Sequence, residues 1–297
     1  MNPRTLLIDS FHAAVAAADP LKIVASHLPP QPKGRTLVVG AGKAAASMAR
    51  AVELAWPRTA PIDGLVVTRY AHGLETSNIE VIEAGHPVPD DAGEKAAAEI
   101  LARVSALGTD DLLIALVSGG GSSLLSLPVD GVSMADLKKV TSSLLHSGAP
   151  ITEMNIVRKH LSRIQGGRLA AACKAPVLTL IISDVTGDDP SAIASGPTCA
   201  DPSTYQDALD VLARFQVEAP ASVIAHLQAG KAGAISETPK PGEASISHAE
   251  NKVIATAHQC LHASADFFRA ASITPVVLGD TVTGEASEVE IGRASCR

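Results

Sequence analysis

The chain has 297 residues and a formal net charge of −7. That length suits one large domain or two smaller ones, and an acidic balance without basic runs argues against nucleic acid as the main partner. Hydrophobic residues make up 46% of the chain but aromatic residues only 2%, so a core must be largely Ala, Val, Leu and Ile. Such a composition suits parallel sheets covered by Ala-rich helices.

The first twenty residues place apolar side chains at helical spacing, with Asp9 and His12 interrupting any signal-like apolar core. No apolar run approaches the roughly 20 residues of a membrane-spanning helix, and a cytoplasmic location is the default expectation. After a Pro-rich loop, Arg35 to Val39 reads as a strand that stops at Gly40, and an Ala-rich helix follows from Lys43 to Trp56. Gly64 to Thr68 and Ile79 to Glu83 read as further strands, then Asp90 to Leu107 as a capped helix. Asp111 to Val117 is a buried strand ending in Ser118-Gly119-Gly120-Gly121-Ser122-Ser123, and Ser133 caps the next helix. A basic helix is expected over Asn155 to Ala172, interrupted at Gly166-Gly167, and Val177 to Ile182 is another apolar strand.

Strands alternating with helices, with glycine-rich loops at the strand ends, predict an α/β fold: a doubly wound, mostly parallel sheet with helices on both faces. This domain is assigned to residues 1–235. The Gly/Pro/Ser-rich stretch 236–250 reads as a linker, and 251–290, with strands at Lys252–Ala255 and Thr274–Leu278, as the start of a second α/β domain. Residues 291–297 back-translate into a string that coincides with a common sequencing adapter, and are read as a non-native tail. Cys173, Cys199, Cys260 and Cys296 form no C-x-x-C pair, so neither a zinc site nor a disulfide framework is indicated.

Three loops carry candidate chemistry. Gly40-Ala41-Gly42-Lys43 resembles a dinucleotide-binding turn, but Asp63 lies before the second strand rather than at its end. A Walker motif is excluded by Leu37 and Ala44. There remains a lysine at a helix start, where an anionic ligand would explain a charge that the helix dipole disfavours; a solvated surface lysine is the alternative. Three glycines flanked by Ser118, Ser122 and Ser123 can form a backbone nest for an anion, with hydroxyl donors added. Asp184, Asp188 and Asp189 follow a buried strand and could hold Mg²⁺ through water and substrate oxygens, or Asp188 and Asp189 could cap a helix near Pro190. Asn155, Arg158 and Lys159 share one helical side and could meet an acid substrate. His86, between Gly85 and Pro87, reads as a structural turn residue.

Together VVGAGKAAASMA, EAGHPVPD, SGGGSSLL, MNIVRKHLSRIQGGRLA and ISDVTGDDPSAIASGPT resemble, in order, the class-II glycerate kinases of MOFRL type, whose members are also named hydroxypyruvate reductases. ATAHQCLHAS and VVLGDTVTGEASEV match more weakly. The resemblance implies ATP- and Mg²⁺-dependent phosphorylation of D-glycerate to 2-phosphoglycerate, with no nucleic acid or membrane partner and a homodimer admissible. It places the family's essential lysine at Lys43, and implies that Asp184 or Asp189 holds the metal or polarises the substrate hydroxyl, with Asp184 assigned as metal ligand and Asp189 as catalytic carboxylate. Gly40, Gly42, Ser118–Ser123, Asn155, Arg158 and Lys159 would contact nucleotide or substrate. Family members continue into a further α/β domain that completes the cleft, so this chain reads as C-terminally truncated and is expected to be inactive alone. An NAD(P)H-dependent hydroxypyruvate reductase and a non-catalytic sugar-phosphate-binding protein are the alternative readings.

Overall fold

A computed structural model describes residues 2–281. In chain order the elements are α1 (Pro3–Ala17), α2 (Pro20–Ile23), β1 (Thr36–Ala41), α3 (Ala45–Ala55), β2 (Ile62–Arg69) and β3 (Ile79–Ala84). Then come α4 (Asp91–Ser105), β4 (Leu112–Ser118), α5 (Gly121–Leu124), α6 (Met134–His146), α7 (Ile151–His160) and α8 (Arg168–Ala171). The described chain closes with β5 (Val177–Ile182), α9 (Tyr205–Arg214), α10 (Ala221–Lys231), β6 (Ala249–Ala255) and α11 (Ala257–Ala270).

The larger of two compact units, Pro20–Ile254, holds the sheet. Its strand order is β3-β2-β1-β4-β5-β6, and the pairings that join β1 through β5 are parallel. β1 and β4 are buried along their whole length, as strands covered on both faces must be. Successive side chains alternate between two cores. Leu37, Val39, Leu113 and Ala115 pack with Ala96, Ile100 and Val104 of α4 on one face. Val38, Ile114 and Leu116 pack with Ala45, Met48 and Val52 of α3 on the other. A third core, with the fully buried Tyr205 in it, joins α6, α7, α9 and α10 into a helical layer inserted around β5.

The expected linker is not one. Glu237 accepts a hydrogen bond from the Tyr205 amide, Thr238 is fully buried against Asp201, and β6 flanks β5 at the edge of the main sheet. Gly/Pro/Ser-rich composition marks irregular backbone but does not report side-chain burial, which here comes from partners some 35 residues away in sequence. The second unit comprises residues 2–19 and 255–281, in which α1 packs against α11. Thr274–Leu278, expected as a strand, forms no ladder among the described residues, and Val276 is 82% exposed. A strand exists only by pairing, and nothing pairs there among the described residues. The suspected non-native tail lies outside the described residues.

Candidate active site

β1 and β4 are neighbours, yet the chain leaves β1 toward β2 and β4 toward β5. That reversal opens a crevice at their C-terminal ends, where doubly wound sheets bind ligands. α3 begins there without a side-chain cap from its own N-cap residue. The β4 loop satisfies its first amides instead: Lys43 N donates to Gly119 O at 2.9 Å, and Ala44 N to Ser118 Oγ at 3.0 Å. The backbone of this turn is therefore engaged, and the turn offers a ligand the lysine ammonium. Lys43 Nζ lies 3.1 Å from Asp184 Oδ2, with the two side chains 43% and 48% exposed.

The glycine loop is shaped by the same carboxylate. A Cβ at Gly119 would overlap the Asp184 carboxyl group where it stands, so glycine leaves room for the aspartate that follows β5 over the β4 turn. Gly120 is left-handed (φ 87°) and turns the chain into α5. The amides of Gly120, Gly121 and Ser122 stand at the start of that helix, where no intrahelical acceptor exists. The serine hydroxyls expected to join them as donors are engaged elsewhere. Ser118 is buried under Ala44; Ser122 Oγ pairs with Ser195 Oγ at 2.9 Å; Ser123 Oγ donates to Gly120 O at 3.1 Å. An anion here would meet backbone amides rather than hydroxyls.

His86 was not expected in the site. Its Nδ1 lies 2.8 Å from Ser123 Oγ, and its ring is the nearest group to the α-carbon face of Gly120. Burial holds its pKa below the ordinary imidazole value, with Lys43 and Arg69 acting in the same direction against Asp184. A neutral imidazole beside an ammonium and a carboxylate can accept a proton near neutral pH. Only its place in the loop after a strand end could have signalled this; spacing carried nothing.

α7 divides the three residues expected to act together. Arg158 and Asn155 line a cleft that also touches Gly120, Ser122 and Asp184. Asn155 is buried, donating from Nδ2 to Ala192 O at 3.3 Å and accepting from Ser195 Oγ at 3.2 Å. It therefore supports the loop that backs Ser122. Ala194 and Ser195 hold left-handed conformations there (φ 52° and 58°), strain of the kind found beside functional sites. Lys159 belongs elsewhere. One position further round the helix, it is 8% exposed and pairs with Asp201 (1% exposed) at 3.5 Å.

Asp189 is also displaced from its expected role: its carboxylate accepts from Ser191 N at 2.8 Å and Ser191 Oγ at 2.9 Å, capping its own turn. Gly40 and Gly42 answer to packing, since a Cβ at either would overlap β4, at the Leu116 carbonyl and at Ser118 respectively. Among the described residues no three His, Cys, Asp or Glu side chains are grouped to cage a metal ion.

A family model described as "Domain of unknown function (DUF4147)" matches residues 6–228. A protein of Agrobacterium vitis named "Putative hydroxypyruvate reductase" is 50% identical over 97% of the chain and 64% of its own length. The "Glycerate 2-kinase" of Pyrococcus horikoshii is 41% identical over 86% of the chain and 57% of its own length. A crystal structure of glycerate kinase from Thermotoga maritima superposes with a TM-score of 0.85 at 36% identity, covering 98% of this chain and 68% of that one. The chain thus spans roughly three fifths of the length of the curated relatives it matches.

Proposed function

The chain belongs to the DUF4147 family, and from that premise we propose that it carries the phosphoryl-transfer rim of an ATP-dependent D-glycerate 2-kinase. The observation that carries this reading is the convergence of Lys43 Nζ, the Asp184 carboxylate and the amides of the Gly120–Ser122 turn at the β1/β4 switch point. The kinase names of relatives about 40% identical support it. Phosphoryl transfer asks a protein for positioning and charge neutralisation, and these groups supply both.

In the proposed reaction the bond between the γ-phosphorus and the β,γ-bridging oxygen breaks as a bond forms from glycerate O2 to that phosphorus. Product is 2-phosphoglycerate, and ADP leaves. Lys43 and the turn amides together balance charge on the transferring phosphoryl group and on the phosphates behind it. Arg158 lines the same cleft and balances anionic charge there. His86, its Nδ1 held by Ser123, takes the hydroxyl proton at Nε2. Asp184 would hold Mg²⁺. Its carboxylate is half-exposed and single, which suits an ion that usually binds through one or two carboxylates plus substrate phosphates; bound there, Mg²⁺ would draw charge from the phosphate oxygens. With ATP and a small organic acid as substrates, the cytoplasm is its place.

The reductase reading has the name of a 50%-identical relative in its favour. Against it, the amides of the first turn are already bonded to the β4 loop, and Asp63 sits early in β2, paired with Arg35 at 3.8 Å. A coupled assay decides between them, run on this chain and on one extended to the relatives' length. ADP release dependent on D-glycerate is the expected result. NADH oxidation by hydroxypyruvate without that ADP release would overturn the kinase reading.

A further inference from the structure

The cleft that contains the turn amides is larger and more apolar than glycerate requires. Its volume is about 700 Å³, and it extends from His86 and Asp184 to a chamber between α6 and α7. A three-carbon hydroxy acid has no apolar surface to place there.

The helices show what does. On α7 the residues facing the cleft are Ile151, Met154, Asn155 and Arg158, at i, i+3, i+4 and i+7, a single stripe. Along that stripe the chemistry changes from aliphatic to amide to cation. The polar end adjoins the loop that backs Ser122, through the bonds of Asn155 to Ala192 and Ser195. From Ile151 to Arg158 the axis advances about 10 Å at 1.5 Å per residue. α6 faces the chamber with a second stripe, Leu137, Thr141 and Leu145. Ile151 and Leu145 are left 54% and 66% exposed at its wall, large apolar side chains with surface still to be covered.

We propose that the chamber between α6 and α7 is the nucleoside subsite of the phosphoryl donor, with the polyphosphate running past Arg158 to the Gly120–Ser122 amides and Lys43. This rests on the kinase reading. A nucleoside triphosphate grades from a flat, largely apolar base to a dense anion, the same gradient in the same direction as the α7 stripe. Among the described residues, those of α6 and α7 that line the chamber carry no aromatic ring, so the base lies between aliphatic walls, and Thr141 and Ser142 are the nearby hydroxyls.

The test is calorimetric titration of ADP, and separately of inorganic tripolyphosphate, into the chain and into the double variant Leu145→Ser/Ile151→Ser. Both positions are exposed, so the fold should tolerate the change. The expected result is an ADP affinity weakened about tenfold, the cost of two lost apolar contacts, with tripolyphosphate affinity held within about twofold. Unchanged ADP affinity in the variant, or equal weakening of both ligands, would overturn the nucleoside assignment while leaving the kinase reading standing. A wild-type chain that binds neither ligand would overturn both.

Discussion

Two lysine–aspartate pairs of the same chemistry behave as different objects. Lys43 and Asp184 meet at 3.1 Å at the sheet rim, each nearly half exposed. Lys159 and Asp201 meet at 3.5 Å with almost no solvent contact. Around the buried pair the carboxylates are bonded into one connected set. Asp201 also accepts from Ser203 and Thr238, while Lys240 bonds Glu237 and Thr238, and Glu237 faces His160 at 3.2 Å. Those bonds tie α7 and α9 to the 237–240 segment. The rim pair lacks such a set among the described residues, and it lies beside the Gly119–Gly120 turn. Charge identity says nothing of role; what surrounds the charges does.

The comparison is broken most severely by removing one buried partner. Lys159→Met strands the Asp201 carboxylate without a counter-ion, and truncating one side of a buried pair typically costs about 3–5 kcal/mol. Urea denaturation should register that loss. The matching change at the rim, Lys43→Met, should leave the denaturation midpoint nearly where it was, because exposed pairs contribute about 0–1 kcal/mol. On turnover the order reverses. In an active, relative-length chain Lys43→Ala should lower kcat by about 10²–10³, the effect of removing one preorganised charge-stabilising group. Steady-state kinetics at saturating ATP and D-glycerate would read it.

His86→Gln sharpens the rim half of the comparison. Loss of a general base is worth about 10²–10⁴ in rate, and the lower bound is expected, because phosphoryl transfer leans little on base strength. With the His86 pKa held below 6.5 by burial and by Lys43 and Arg69, the acid limb of kcat/KM should fall below the ordinary imidazole value. A limb above pH 7 would remove His86 from that role.

The smallest expected effect is a pH slope in stability from the buried set. Burial alone would raise the Asp201 pKa, but Lys159, Ser203 and His160 outweigh it and hold it below the usual carboxylate value. Glu237 is likewise depressed, with the Tyr205 amide and Lys240 overcoming burial. Groups with depressed folded-state pKa values contribute stability that is fully present above their unfolded values, near pH 4, and is lost as pH falls through the folded ones. Denaturation curves at pH 6, 4 and 3 should show that fall, and Asp201→Asn should flatten it.

The sequence made the local chemistry legible and hid the long-range pairing. Val177–Ile182 was readable to the residue, because a fully buried strand is an unbroken apolar run. The Ser133 cap was equally plain, since capping is decided within four residues. Lys43, the glycine turn and Asp184 could be assigned to one rim because strand ends of a parallel sheet share an edge. The environment of Lys159 could not be read, because its partner lies 42 residues downstream. Nor could the engagement of Ser118 and Ser122, whose partners are 74 and 73 residues distant. The helical layer around α7 includes α9 and α10, to which no predicted element corresponds.

One paired measurement tests the division most directly: ADP affinity and thermal midpoint for Lys43→Met and Lys159→Met, side by side with the unaltered chain. Lys43→Met should lose ADP affinity and keep its midpoint. Lys159→Met should lose its midpoint and, where still folded, keep its ADP affinity. A Lys43→Met chain that binds ADP as tightly as the original would contradict it.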